Sequence, residues 1–312
     1  MIAFLFPGQG SQAVGMGRAF YEESPAAKAV FEEANDALGE NLTRLIFEGP
    51  EAELALTANT QPAILTVSVA AAAVAAEQGL RPALAAGHSL GEYSALVVAG
   101  ALAFRDAVRI VRRRGQFMQE AVPVGTGAMA ALLGLDLAQV QAICAEAAGG
   151  EVVEVANINA PQQIVIAGHR TAVERAVALA GERGGRKSVL LPVSAPFHCR
   201  LMQPAADRLR EVLEPVAVSD PRVPVVRNVD AGLTRAAAEV KPALVAQVAS
   251  PVRWTEGVQR LHAEGASVYV EVGPGRVLTG LLRRILDGAR GLSVEDPPSL
   301  ERALAAVREP RA

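Results

Sequence analysis

Gly87-His88-Ser89-Leu90-Gly91 lies between a short apolar run that begins at Ala83 and the helical stretch Glu92 to Ala99, which Gly100 ends. Strand, tight turn and helix follow one another. In a G-x-S-x-G turn the two glycines lack the side chains that would keep strand and helix apart, and the serine between them takes a strained backbone. Its hydroxyl then stands at a helix N-terminus, where unpaired N–H groups and the helix dipole favour developing negative charge. The same five residues also suit a plain helix start in which Ser89 caps the first turn. What else the chain brings to that turn decides between the two.

Working outward, the chain reads as an α/β protein. Its 312 residues are 51% hydrophobic but only 4% aromatic, so the core is built from Ala, Val and Leu in layers, with material for about two domains. Met1 to Phe6 reads as a first buried strand; it has no basic leader and is too short for a secretory signal. From there to about Pro123, short apolar runs alternate with helical patterns, which argues for a mostly parallel sheet.

A flexible joint, Pro123-Val124-Gly125-Thr126-Gly127, opens a second block. Strand Ala128 to Leu133 precedes a helix capped by Asp136, with Leu137, Val140, Cys144 and Ala147 on one stripe and Gly149-Gly150 as its stop. Strands Val152 to Ile158 and Gln163 to Ala167 come next, then a helix opened by a capping box at Thr171-Ala172-Val173-Glu174, then strand Lys187 to Leu191. That β-α-β-β-α-β order is the split βαβ of ferredoxin-like domains. The third block holds a strand at Val223 to Val226, helices at Pro242 to Ala249 and Trp254 to Glu264, strand Val268 to Val272 and a helix from Val277 to Leu286. Beyond Leu292 no pattern stands out. The expected architecture is one α/β body, residues 1–124 and 198–312, carrying a ferredoxin-like insertion at 125–197.

Thirty basic and thirty-three acidic residues leave a formal charge of −3, so no global positive field holds nucleic acid or an anionic membrane. Cys144 and Cys199 form no C-x-x-C pair, which fits a reducing cytoplasm. The uncharged run Ala63 to Ala76 falls short of the ~20 residues that cross a bilayer and reads as a buried helix.

A serine hydroxyl needs a base to become a nucleophile. Of four histidines, His88 would point away from its own turn, while His169 and His262 sit in helical surroundings. His198, in Ser194-Ala195-Pro196-Phe197-His198 where the chain returns from the insertion, is the best placed. The loop Phe6-Pro7-Gly8-Gln9-Gly10-Ser11-Gln12 lacks the third glycine of a dinucleotide fingerprint and the Gly-Lys ending of a P-loop. Beside a serine turn, however, such a loop supplies a backbone N–H for an oxyanion, and Gln9 and Leu90 are the candidate donors. Arg109, Arg112, Arg113 and Arg114 form a basic helical run whose usual place is a solvated face; one turned inward would be a planar receptor for a carboxylate. Spacing alone does not choose among them.

Taken together, Gly8-Gln9-Gly10-Ser11-Gln12, Gly87-His88-Ser89-Leu90-Gly91-Glu92, Arg114, Ala195-Pro196-Phe197-His198, Gln247 before Pro251-Val252-Arg253-Trp254, and Glu271-Val272-Gly273-Pro274-Gly275 resemble the malonyl-CoA:acyl carrier protein transacylases. The resemblance runs from Phe6 to about Leu286. It implies an α/β-hydrolase-like body with a ferredoxin-like insertion, Ser89 as nucleophile and His198 as general base. It further implies that the backbone carbonyl of Gln247 positions the histidine, that Arg114 receives the substrate carboxylate, and that Gln9 and Leu90 donate to the oxyanion. Phe197 matches the malonyl-selecting version of the motif, and Cys199 receives no role.

The implied reaction passes a malonyl group from malonyl-CoA to Ser89 and then to the phosphopantetheine thiol of an acyl carrier protein, with no metal or redox cofactor. A serine thioesterase on the same turn, or a carrier-docking module without catalysis, are the rivals. Carrier proteins are usually acidic, so basic rims at Arg186 and Lys187 or at Arg283 and Arg284 are candidate docking surfaces. With no heptad or exposed apolar stripe, a monomer is expected.

Overall fold

Ile2–Phe6 (β1) is apolar at every position and buried on both faces, as the central strand of a parallel sheet must be. The computed structural model describes residues 1–308. The other strands are Leu84–Gly87 (β2), Gly127–Leu133 (β3), Val153–Ala160 (β4), Gln163–His169 (β5), Lys187–Leu190 (β6), Val225–Val226 (β7), Leu233–Thr234 (β8), Val268–Val272 (β9) and Arg290–Val294 (β10). The larger sheet runs β10-β9-β1-β2-β7-β8, parallel throughout except where β8 pairs antiparallel with β7. Parallel pairing brings the C-terminal ends of β1, β2, β7 and β9 to one edge. Loops carrying Gln9, Ser89, Asn228 and Gly273 therefore converge there, as ligand-binding loops of open parallel sheets do.

The smaller sheet, β4-β5-β3-β6, is antiparallel and takes its strands from 127–190. This is the ferredoxin-like order expected from the sequence. Its outer strand β4 is tied to the body: Ile158 donates to the Val252 carbonyl and Val252 to that of Ala156, each at 2.9 Å. Asp136 caps the helix Leu137–Ala147 in a full capping box with Gln139.

Several local expectations shift. Helix Arg170–Glu182 begins before the predicted box, and Thr171 Oγ1 instead donates to Glu151 Oε1 at 2.6 Å, so no box forms there. The helix expected from Pro242 starts at Ala237, because the Glu239 carboxylate takes the Arg235 and Ala236 N–H groups that open it. Past Leu292 the chain is ordered as the rest of β10 and the helix Pro297–Arg308. The apolar run belongs to a longer helix, Thr57–Glu77, which has the length and composition of a membrane span but is mostly buried in the core.

The serine turn depends on its two glycines through packing. A Cβ on Gly87 would lie 1.8 Å from the Gly91 carbonyl carbon, and one on Gly91 would lie 2.1 Å from the Phe6 carbonyl oxygen. Backbone atoms of central strand and helix cannot retreat. Gly91→Ala is expected to cost about 4 kcal/mol or more and to lower Tm by about 10 °C in thermal unfolding. Gly280→Ala, whose Cβ would meet nothing within 4 Å, is the control and is expected to hold or raise Tm.

Candidate active site

Ser89 adopts a left-handed φ of 51° where β2 passes into the helix Gly91–Val98, a conformation that a side-chain-bearing residue keeps only when its surroundings impose it. Asn228, just past β7, supplies that constraint. Its Oδ1 accepts the Ser89 N–H at 2.6 Å, and its Nδ2 donates to the Gly87 carbonyl at 2.7 Å. The serine is thereby aimed out of the turn.

His198 arrives from the other side, itself at a left-handed φ of 61°. Its Nε2 lies 2.7 Å from Ser89 Oγ, and its Nδ1 lies 2.9 Å from the backbone carbonyl of Gln247. A carbonyl only accepts, so Nδ1 carries the hydrogen and the lone pair of Nε2 faces the serine hydroxyl. That is the tautomer a base requires. Burial, followed by the nearby positive charge of Arg114, pushes the His198 pKa down to about 3, so the ring is neutral at ordinary pH.

Among the four arginines the structure makes the choice that spacing leaves open. Arg109 and Arg113 are exposed, Arg109 donates to the Ala37 carbonyl, and Arg112 pairs with Glu40 and Asn59. Arg114 alone turns inward, at 2% exposure, on the helix Phe104–Glu120. Its Nη1 donates to Gln61 Oε1 at 2.7 Å; its Nη2 donates to Gln247 Oε1 at 2.9 Å and to Ser89 Oγ at 3.1 Å. No carboxylate of the described residues forms an ion pair with it, and its Nε is buried without a hydrogen-bond partner. A buried cation hydrogen-bonded to neutral oxygens, with the Tyr93 ring 5.6 Å away, can accept an anion from outside.

Gln9, Leu90 and Phe197 line the same small cavity of about 120 Å³, with Met118, Leu191 and Val193 as apolar walls. The space suits a short acyl group. The backbone N–H groups of Gln9 and Leu90 meet no acceptor among the described residues, which leaves them free to donate to an oxyanion. Gln9 is itself steadied from the helix Thr57–Glu77, through Thr57 Oγ1 at 2.6 Å from its Oε1.

His88 does not turn away as expected. It lines the cavity, but its Nε2 is engaged by Asn159 Oδ1 at 2.8 Å and its ring packs against Trp254. His169 accepts the Val152 N–H and His262 faces the Tyr269 hydroxyl, so neither approaches Ser89. Cys199 is a buried free thiol bonded to the Pro196 carbonyl.

Three residues at the site carry contacts that the sequence does not assign. Gln61 bridges Thr57 and Arg114, Asn228 holds the serine turn, and Glu92 accepts from the Asn228 N–H at 3.0 Å and from Gln247 Nε2 at 2.8 Å. Burial raises the Glu92 pKa to about 7. The available signal is weak: Gln61 ends the mostly polar stretch Thr57 to Gln61 just ahead of the apolar run from Ala63, and Glu92 follows the turn directly.

Comparison with known proteins identifies the family. Residues 3–303 match the acyl transferase domain family. The malonyl CoA-acyl carrier protein transacylase of Bacillus subtilis strain 168 is 49% identical over 309 residues, covering 99% of this chain and 98% of its own. The crystal structure of an acyl carrier protein S-malonyltransferase from Vibrio cholerae superposes with a TM-score of 0.95 at 48% identity, covering 97% of this chain and 99% of that one. A malonyl-transacylase solved in complex with a type II polyketide synthase acyl-carrier protein gives 0.95 at 47% identity, with 98% and 99% covered. On sequence and fold alike, the chain belongs to the malonyl-CoA:acyl carrier protein transacylases, a family of acyltransferase enzymes.

Proposed function

We propose that this enzyme moves the malonyl group of malonyl-CoA to the phosphopantetheine thiol of an acyl carrier protein through a malonyl ester on Ser89, supplying extender units for fatty-acid or polyketide synthesis. The observation that carries the reading is the meeting of Ser89 Oγ with His198 Nε2 at 2.7 Å and with Arg114 Nη2 at 3.1 Å. A nucleophile, its base and a carboxylate receptor share one small cavity.

In the first half-reaction His198 Nε2 takes the hydroxyl proton while Oγ attacks the thioester carbon. The oxyanion forms against the N–H groups of Gln9 and Leu90. As the tetrahedral intermediate collapses, the proton on Nε2 passes to the departing coenzyme A sulfur and the ester remains. In the second, the carrier thiol gives its proton to Nε2, attacks the ester, and Ser89 leaves with that proton. The malonyl carboxylate seated on Arg114 also offsets the positive charge that disfavours imidazolium, so the bound substrate strengthens its own base.

The His198 pKa sets the pH dependence. A base depressed to about 3 stays unprotonated as pH falls through the usual histidine range. The kcat/KM for Ser89 acylation, which reports the free enzyme, is expected to stay level from pH 8 to about 5.5. An acid limb centred near 6.5 would contradict the buried, neutral imidazole.

The substrate reading is tested by offering malonyl-, acetyl- and methylmalonyl-CoA and following transfer to fatty-acid and polyketide carrier proteins. Malonyl transfer should exceed acetyl transfer by about two orders of magnitude, with transfer faster than hydrolysis. Faster release of free malonate would instead favour a thioesterase. Exposed Arg186 and Lys187, or Arg283 and Arg284, offer an acidic carrier its docking charges. A cytoplasmic monomer completes the proposal, supported by two free buried thiols and by large exposed apolar side chains that are mostly scattered along the chain.

A further inference from the structure

Glu92 is a carboxylate at the heart of the site for which the transfer described above has no use. It sits in the first turn of the helix that follows Ser89 and is 2% exposed. A single oxygen, Oε2, accepts from the Asn228 backbone N–H at 3.0 Å and from Gln247 Nε2 at 2.8 Å.

Those two partners are the residues that hold the reacting pair. Asn228 fixes the serine turn through Ser89 N–H and the Gly87 carbonyl, while Gln247 offers its backbone carbonyl to His198 Nδ1 and its Nε2 to the Ser89 carbonyl at 2.9 Å. We propose that Glu92 is a positioning residue for acyl transfer: its Oε2 ties the loop behind Ser89 to the carbonyl behind His198, holding Oγ and Nε2 at proton-transfer distance. This rests on the assignment of Ser89 and His198 made above.

The chemistry of Gln247 explains why an acceptor is needed there. Arg114 donates to Oε1, which fixes the amide orientation and turns both Nε2 hydrogens toward Ser89 and Glu92. A buried N–H donor without a partner would be costly, and so would the Asn228 N–H beside it. One oxygen with two lone pairs satisfies both at once. In a serine triad the acid touches the histidine itself; here a carbonyl stands in that place, and the acid acts one bond network further back, on the residue that owns the carbonyl. Misplacement of reacting atoms by about 1 Å costs on the order of a hundredfold in rate, so slack in this tie is read out as lost reactivity.

The test uses Glu92→Asp, which draws the acceptor back by one methylene, and Glu92→Gln, which keeps an acceptor oxygen at the same reach. Two readouts are followed on protein with native near-UV circular dichroism: steady-state malonyl transfer, and labelling of Ser89 by a fluorophosphonate probe that has no carboxylate for Arg114. Glu92→Asp is expected to lose at least tenfold in both kcat and labelling rate, with KM for malonyl-CoA within threefold; Glu92→Gln is expected to recover most of the loss. Labelling by Glu92→Asp at the wild-type rate overturns the proposal, as does Glu92→Gln that is no better than Glu92→Asp. If Glu92→Asp does not fold, Asn228→Ala, which keeps the backbone N–H on Glu92 but removes the side-chain bonds that pass the tie on to the serine turn, must show the same parallel loss, and unchanged labelling there overturns the proposal equally. Labelling that persists in Ser89→Ala would strike the nucleophile assignment rather than the role of Glu92.

Discussion

Ser89→Ala is expected to yield no covalent adduct when incubated with malonyl-CoA, whereas the wild-type chain gains the mass of one malonyl group on the peptide containing residue 89. Turnover to an acyl carrier protein should fall by about 10⁴-fold or more, the scale seen when a nucleophile that works as a unit with its base is deleted. The change removes one oxygen from a turn whose shape is kept by Gly87, Gly91 and Asn228, so Tm should move little. His198→Ala makes the useful comparison: the hydroxyl remains, hydrogen-bonded to Arg114 Nη2, but nothing removes its proton. An adduct that forms in Ser89→Ala at the wild-type rate would place the acyl group on another side chain and dissolve the ester mechanism.

The serine turn was legible because its signal is local: strand, glycine, serine, glycine and helix are contiguous, and steric exclusion at Gly87 and Gly91 leaves few other residues possible. The ferredoxin-like order was legible for the same reason, since strand periods and the Asp136 cap are written in neighbouring residues. His198 was reached by elimination among four histidines and by its place where the chain returns from the insertion, whereas Arg114 needed the resemblance of ordered motifs, because nothing near it reports its distance to Ser89.

The contacts of Gln61, Asn228 and Glu92 stayed hidden for a different reason. Asn228 reaches Ser89 across 139 residues and Glu92 reaches Gln247 across 155. Such pairings are set by which strand ends the parallel sheet gathers at one edge, and no window of sequence contains them. The short strand β10 failed to show itself because only one of its residues, Val294, is fully buried and its alternation is weak.

Arg114→Ala is expected to separate malonyl from acetyl transfer. In the folded chain the guanidinium has spent three of its hydrogens on Gln61, Gln247 and Ser89, and one on Nη1 stays uncommitted beside the hydrogen that Ser89 gives up when it becomes an ester. Those two lie on the pair of terminal nitrogens that a carboxylate engages side by side. Each charge-assisted hydrogen bond is worth about 1.5–3 kcal/mol, so losing the pair should lower kcat/KM for malonyl-CoA by about 10²–10⁴-fold. Acetyl-CoA has no carboxylate to lose and should change by less than tenfold, or improve as the cavity loses a buried cation. Arg114→Lys keeps the charge but not the fork, and should fall between the two for malonyl-CoA. Because the substitution also strands Gln61 Oε1 and Gln247 Oε1, a general disturbance of the site would slow both substrates alike. Equal losses for malonyl and acetyl transfer would therefore assign Arg114 to scaffolding, and only a selective loss assigns it to recognition of the acid.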